Sequence, residues 1–103
     1  MGKVYIISNV DHDYSTAEKF GTLEIVSRKF PIFNPEGTVG ILDRILNEFT
    51  MEDYFLVDGS PILSMYIFAF LLNKVSNINL LLYDAKKQEY VHRNVDMALF
   101  QLY

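Results

Sequence analysis

The sequence predicts an α/β fold with a mostly parallel sheet, and three observations carry that expectation. Short, continuously apolar runs recur at Val4-Tyr5-Ile6-Ile7, Tyr54-Phe55-Leu56-Val57 and Ile78 to Tyr83. Runs without polar alternation belong to strands covered on both faces. Segments with helical character separate them, and strands alternating with helices imply parallel pairing through crossover connections. Only the last pair of strands is joined by a short polar turn, Asp84-Ala85-Lys86-Lys87, so only that pair is expected to be antiparallel.

The elements follow in order. The strand Val4–Ile7 ends in Ser8-Asn9-Val10-Asp11-His12-Asp13, which is loop chemistry. Ser15-Thr16-Ala17-Glu18-Lys19-Phe20 is a short helix, with Asp13 or Ser15 as cap and Gly21 as stop. Thr22 to Ser27 alternates partly, as an edge strand does. Asn34-Pro35 opens the next helix, because proline suits the first helical position. There Thr38, Ile41, Leu42, Ile45, Leu46 and Phe49 make an apolar stripe, and Thr50-Met51-Glu52-Asp53 ends it. Ser60 caps a third helix that starts at Pro61 and runs to about Val75. After the strand Ile78–Tyr83 and its turn, Gln88 to His92 returns along the sheet edge. The tail, Met97 to Tyr103, is apolar and too short to type.

The resulting order is β-α-β-α-β-α-β-β, with the strands expected as 2-1-3-4 and the hairpin strand beyond. That is a minimal Rossmann-like three-layer sandwich. A ferredoxin-like α+β sandwich is the alternative, and it needs more antiparallel pairing. With 103 residues, half of them hydrophobic and 21% charged, residues 1–103 make one globular domain. The net charge of −4 disfavours sequence-blind nucleic-acid binding, which depends on neutralising phosphates. The absence of cysteine excludes disulfide scaffolds, thiolate zinc sites and cysteine nucleophiles, and it fits a cytoplasmic protein. No signal peptide is expected from the first residues. The most apolar segment, Ile62–Leu72, is far shorter than the roughly 20 residues of a spanning helix, so no membrane role is expected.

In an open parallel sheet, ligands sit beyond the carboxyl ends of strands where the strand order switches. Here the loops after Ile7 and Val57 meet at that point. Asn9, Asp13, Tyr14, Ser15, Gly59 and Ser60 are therefore the candidate contacts for a small anionic or nucleotide-like ligand near helix N-termini. The bland reading is that these are ordinary capped turns. A catalytic alternative gathers Asp11, Asp13 and Asp58 around a magnesium ion for phosphoesterase or nuclease chemistry, with His12 as base or ligand. Asp84 is the weakest addition, because a hairpin turn already explains it. No phosphate-loop, dinucleotide or nucleophile-elbow motif is present, so binding is preferred to catalysis and no cofactor is expected. His92 reads as a merely exposed edge-strand residue, and Tyr14 and Phe20 as core aromatics.

The helix from Pro61 carries apolar residues around its whole circumference, and such a helix must be buried all round. A small domain cannot wrap it alone, and the short first helix leaves one sheet face thinly covered. Both point to a homo-oligomer, most simply a dimer built on this helix, with Tyr66 and Phe70 in its outward stripe. The alternative is that the C-terminal tail folds back over it.

The pattern Asp13-Tyr14-Ser15, Phe20-Gly21, Asp53-Tyr54, Gly59-Ser60-Pro61, Asn79-Leu80-Leu81-Leu82-Tyr83-Asp84 and Tyr90 resembles small proteins of tailed bacteriophages, including the crAss-like phages of gut Bacteroidales. The resemblance implies an accessory protein of the infected bacterial cytoplasm. It would act in counter-defence or as a virion-associated part; a protein partner at the loops after the first and third strands is the alternative to a small ligand there. It assigns no role to any residue.

Overall fold

The structure, a computed structural model, describes residues 2–8, 12–27, 29–58 and 60–100. Five strands form one sheet in the order β2-β1-β3-β4-β5. They are β1 (Lys3–Ser8), β2 (Thr22–Ser27), β3 (Tyr54–Leu56), β4 (Asn77–Asp84) and β5 (Glu89–Asp96). β1 pairs in parallel with β2 and β3, and β3 with β4; β4 and β5 are antiparallel. The fold is thus mixed α/β, mostly parallel, with the expected hairpin at one edge.

Alternation along the strands divides the core in two. Tyr5, Ile7, Phe55 and Ile78 face one way, and they are covered by α1 (Pro35–Leu46) and α2 (Pro61–Leu72). Val4, Ile6, Leu56 and Leu81 face the other way. Their cover is a six-residue 3-10 helix, η1 (Ser15–Phe20), through Tyr14, Ala17 and Phe20.

Both longer helices start where their caps require. The Asn34 side chain accepts from the Gly37 N–H at 3.1 Å, and Pro35 follows. Ser60 accepts from the Leu63 N–H at 3.5 Å, and Pro61 follows. Along α1 the buried residues are Thr38, Leu42 and Leu46, as the stripe predicted.

Several boundaries differ from expectation. α1 stops at Leu46, before Phe49, because the chain there is drawn into a tight turn. The Phe49 N–H donates to the Leu46 carbonyl, and the Asp53 carboxylate accepts from the Thr50 N–H at 2.8 Å. Phe49 stays buried in the same core, its ring 5.3 Å from that of Tyr5. α2 ends at Leu72 rather than Val75, where the Leu71 carbonyl accepts from both Lys74 and Val75. η1 is capped by no side chain at Tyr14; Asp13 instead accepts from the Ser15 N–H at 2.9 Å, a local turn. β5 runs four residues beyond His92, to Asp96. His92 is exposed but not idle, since its Nε2 lies 2.8 Å from Asn79 Oδ1 and its ring stands edge-on to Tyr54.

At the amino end of the sheet the backbone is packed too tightly for side chains. A Cβ on Gly2 would lie 1.9 Å from the Glu52 carbonyl oxygen, and one on Gly21 would lie 2.2 Å from the Gly2 carbonyl oxygen. Asp53 ties the same end together by accepting from the Lys3 N–H at 2.8 Å.

α2 is not buried all round. Leu63, Ile67 and Leu71 are buried, but Met65 is 71% exposed and Ile62 40%. The described part of the tail meets the helix at Phe68. It forms a second 3-10 turn (Met97–Phe100), in which Met97 is buried and Phe100 meets Phe68 edge-on at 5.2 Å. No helix among the described residues is long and apolar enough to cross a membrane.

Candidate functional site

The parallel strands β1, β3 and β4 all run toward the same edge of the sheet, so the segments that follow them converge there. The segment after β1 enters η1 at Tyr14, and the segment after β3 enters α2 at Ser60. A direct bond joins the two: the Tyr14 hydroxyl donates to the Asp58 carboxylate. Tyr14 is buried, so this contact fixes the phenol between η1 and the end of β3.

Beside that bond lies a cavity of about 550 Å³ lined by His12, Asp13, Tyr14, Thr16, Val57, Asp58, Tyr83, Gln88 and Tyr90. Its third wall is the β4–β5 hairpin. Strand register places Tyr83 directly opposite Tyr90, and their rings stack edge-to-face at 5.2 Å. The Asp84 carboxylate accepts from the N–H groups of Lys86 and Lys87, so Asp84 shapes the turn. The turn ends at Gln88, whose φ of 55° lies in the left-handed region that side chains rarely adopt. This strained residue contributes to the cavity wall.

The chemistry of the lining is distinctive. Two carboxylates and three phenols face the space, and no lysine or arginine is among the described lining residues. Tyr83 is half exposed and offers a ring face, whereas Tyr14 and Tyr90 are buried. Burial, and then the negative charge of Asp58, hold the Tyr90 phenol above its ordinary value of 10.0. Asp13 is shifted the other way, below 3.8, because the Ser15 backbone N–H donates to it. Both residues therefore keep their neutral-pH states: a phenol that can donate and a carboxylate that accepts.

Of the residues expected from the sequence, Asp13, Tyr14 and Asp58 come together here. Ser15 and Ser60 are placed in the flanking turns; Ser15 is exposed and Ser60 caps α2. Asn9, Gly59 and Asp11 lie outside the described residues. Asp13 and Asp58 are the described members of the magnesium arrangement, and both line the cavity. Among the described residues no group of three His, Cys, Asp or Glu side chains is placed to hold a metal ion. Thr16, Val57, Tyr83, Gln88 and Tyr90 were missing from the expected contacts. The hairpin register, countable from the short turn, is the signal that places Tyr83 and Tyr90 side by side.

A five-stranded α/β sheet with a tyrosine- and aspartate-lined pocket at the carboxyl ends of its parallel strands defines a small α/β protein with a candidate binding site there. The sequence says more about lineage. The family described as Phage Pam3 gp32-like protein matches residues 2–97, and the chain belongs to that phage family. The match supports the phage resemblance and carries no mark of the crAss-like lineage. No curated protein and no solved structure matches the chain.

Proposed function

We propose that the chain is a phage accessory protein of the infected host's cytoplasm. It works by binding a small, flat, nucleobase-like ligand in the cavity between η1 and the β4–β5 hairpin. The sheet is read as a pared-down fold of Rossmann type, with the binding site at the switch between β1 and β3. The observation that carries the reading is the lining: two carboxylates, three phenols and His12, with no lysine or arginine among the described residues. Carboxylates accept from ring and amino N–H groups, and an exposed tyrosine face stacks on a planar ring. The same charges repel phosphate, so the anionic part of a nucleotide would remain in solvent. The N–H groups at the start of α2 offer little to an anion, since Ser60 already occupies that of Leu63. Of the small anionic or nucleotide-like ligand expected from the sequence, this reading keeps the donor-bearing ring.

Thermal-shift titration tests this with nucleosides, their nucleotides and inorganic phosphate side by side. A nucleoside bearing an exocyclic amino group should stabilise the protein as well as its nucleotide does, by about 2.7 kcal/mol at one hundred times its dissociation constant. Tyr83→Ala should abolish the shift while leaving the unliganded protein folded, because the ring is 54% exposed. Stabilisation by phosphate alone, or none across a broad nucleoside panel, would overturn the proposal.

A further inference from the structure

Tyr90 stands at the boundary between core and cavity. Its ring packs in the thin-face core with Val4, Ile6, Leu56 and Leu81, and the residue is only 8% exposed. It also lines the cavity beside Asp13 and Asp58. Tyr83, opposite it in register, packs edge-on against the ring and helps to fix its plane. The two buried phenols of the cavity differ in what their hydroxyls do. Tyr14 donates to Asp58. The Tyr90 hydroxyl has no hydrogen-bond partner among the described residues. No side-chain oxygen among them is both sealed from solvent and unbonded, so this hydroxyl opens onto the cavity. A largely buried donor of this kind gains from any acceptor that enters the space.

We propose that the Tyr90 hydroxyl is the specificity-determining donor of the cavity, and that it bonds the unprotonated ring nitrogen of an N=C–NH2 edge whose amino group goes to a carboxylate. The inference rests on the base-binding reading above and names the chemical class of base. Burial, then the charge of Asp58, keeps this phenol protonated well past neutral pH, and Asp13 acts in the same direction, so the hydroxyl meets a ligand as a donor. Asp13 accepts from the Ser15 N–H and Asp58 from the Tyr14 hydroxyl. An ionised carboxylate has about four acceptor positions, so these bonds leave room for an amino N–H. A carboxylate and a phenol facing one cavity make an acceptor and a donor. Their complement is a donor and an acceptor on neighbouring ring positions. Adenine, guanine and cytosine each present that edge, whereas uracil and hypoxanthine do not. The ring of Tyr90 is already held by the core, so the bond orders little that was free before.

Calorimetric titration of the full chain tests this with adenosine, guanosine and cytidine. Each is paired with the analogue in which C–H replaces the ring nitrogen beside the amino-bearing carbon: 1-deazaadenosine, 3-deazaguanosine and 3-deazacytidine. The nucleoside that binds should lose affinity about 3- to 10-fold when its ring nitrogen is replaced, the worth of one neutral hydrogen bond. Tyr90→Phe should weaken the parent nucleoside by the same factor and leave the deaza analogue unaffected. The variant keeps the buried ring and removes a hydroxyl that holds no described residue, so circular dichroism and the neutral-pH melting point should not change. The analogue comparison uses the natural sequence and stands even if the variant folds poorly. Binding that is indifferent to Tyr90→Phe, or deaza analogues that bind as tightly as their parents, would overturn the inference and leave the base-binding reading in place. No binding by any of the three nucleosides would overturn both.

Discussion

The two faces of the sheet are built from the same strands, yet they solve opposite problems. The face with Tyr5, Ile7, Phe55 and Ile78 is closed by two twelve-residue helices and has apolar surface left over on α2. The opposite face, with Val4, Ile6, Leu56 and Leu81, is closed by six residues of 3-10 helix. Polar groups take over where that cover ends. Asn79, His92 and Asn94 form a hydrogen-bonded group toward one side, and the tyrosine and aspartate cavity lies toward the other. Thick cover yields a closed core and leaves Ile62 and Met65 of α2 exposed. Thin cover yields a recess walled by carboxylates and tyrosine rings.

The comparison is tested most severely by truncating one deep leucine on each face. Leu71 and Leu81 are both 0% exposed. Leu71→Ala should cost about 2–5 kcal/mol in chemical denaturation, toward the upper end, because two packed helices cannot collapse into the void. Leu81→Ala should fall toward the lower end of that range, since the η1 segment can settle onto the gap. A larger loss at Leu81 would mean that the thin layer is as rigid as the thick one.

Asp53 supplies the next largest effect. It is buried, and its carboxylate accepts from the Lys3 and Thr50 N–H groups, which joins the starts of β1 and β3 beneath both faces. Asp53→Ala leaves those donors without their acceptor and should cost about 1–3 kcal/mol. A neutral result would show that solvent replaces the carboxylate at no cost.

Gln88→Gly should act in the opposite direction. Relieving a left-handed glutamine should raise stability by roughly 0.5–1 kcal/mol, while removing a side chain from the cavity wall should weaken binding. Loss of stability would remove the link between the strained turn and the site.

The smallest effect is in the pH dependence, with one probe on each face. Tyr5 on the helix face and Tyr90 on the thin face both have phenols held above 10.0, chiefly by burial. The folded state therefore favours their neutral forms. Their contribution to stability is complete below pH 10 and is lost as pH rises through the higher folded-state values. Tyr90→Phe and Tyr5→Phe should each flatten that alkaline decline. Ligand in the cavity should alter only the part that belongs to Tyr90. A decline unchanged in both variants would place its cause elsewhere.

The strands and their order were legible because five β-favouring segments, three of them continuously apolar, stand between turn and helix signals. The starts of α1 and α2 were legible from Asn34-Pro35 and Ser60-Pro61. Helix ends were harder to read, because they depend on partners distant in sequence or on turns that apolar periodicity does not register. Phe49 fits the stripe of α1, yet the chain has already left the helix for the turn held by Asp53. β5 was underestimated for a related reason. Arg93 and Asn94 are polar neighbours on an edge strand, where water accepts what a core would reject, so hydrophobic pattern gives no sign of the pairing. At the site, Asp13, Tyr14 and Asp58 could be placed from topology alone, as residues that follow parallel strands. Tyr83 and Tyr90 could not, because they belong to the hairpin and enter the cavity by cross-strand register rather than by loop position. They add two tyrosine rings to a cavity whose carboxylates follow the parallel strands.

The account stands on the claim that the thinly covered face is where the protein binds. Backbone amide chemical shifts, followed by NMR during titration with an amino-bearing nucleoside, test it most directly. The account predicts saturable shifts confined to Asp13, Tyr14, Thr16, Asp58, Tyr83, Gln88 and Tyr90, with the amides of α2 unmoved. Shifts centred on Met65, Phe68 and Ala69, or none at millimolar nucleoside, would contradict it.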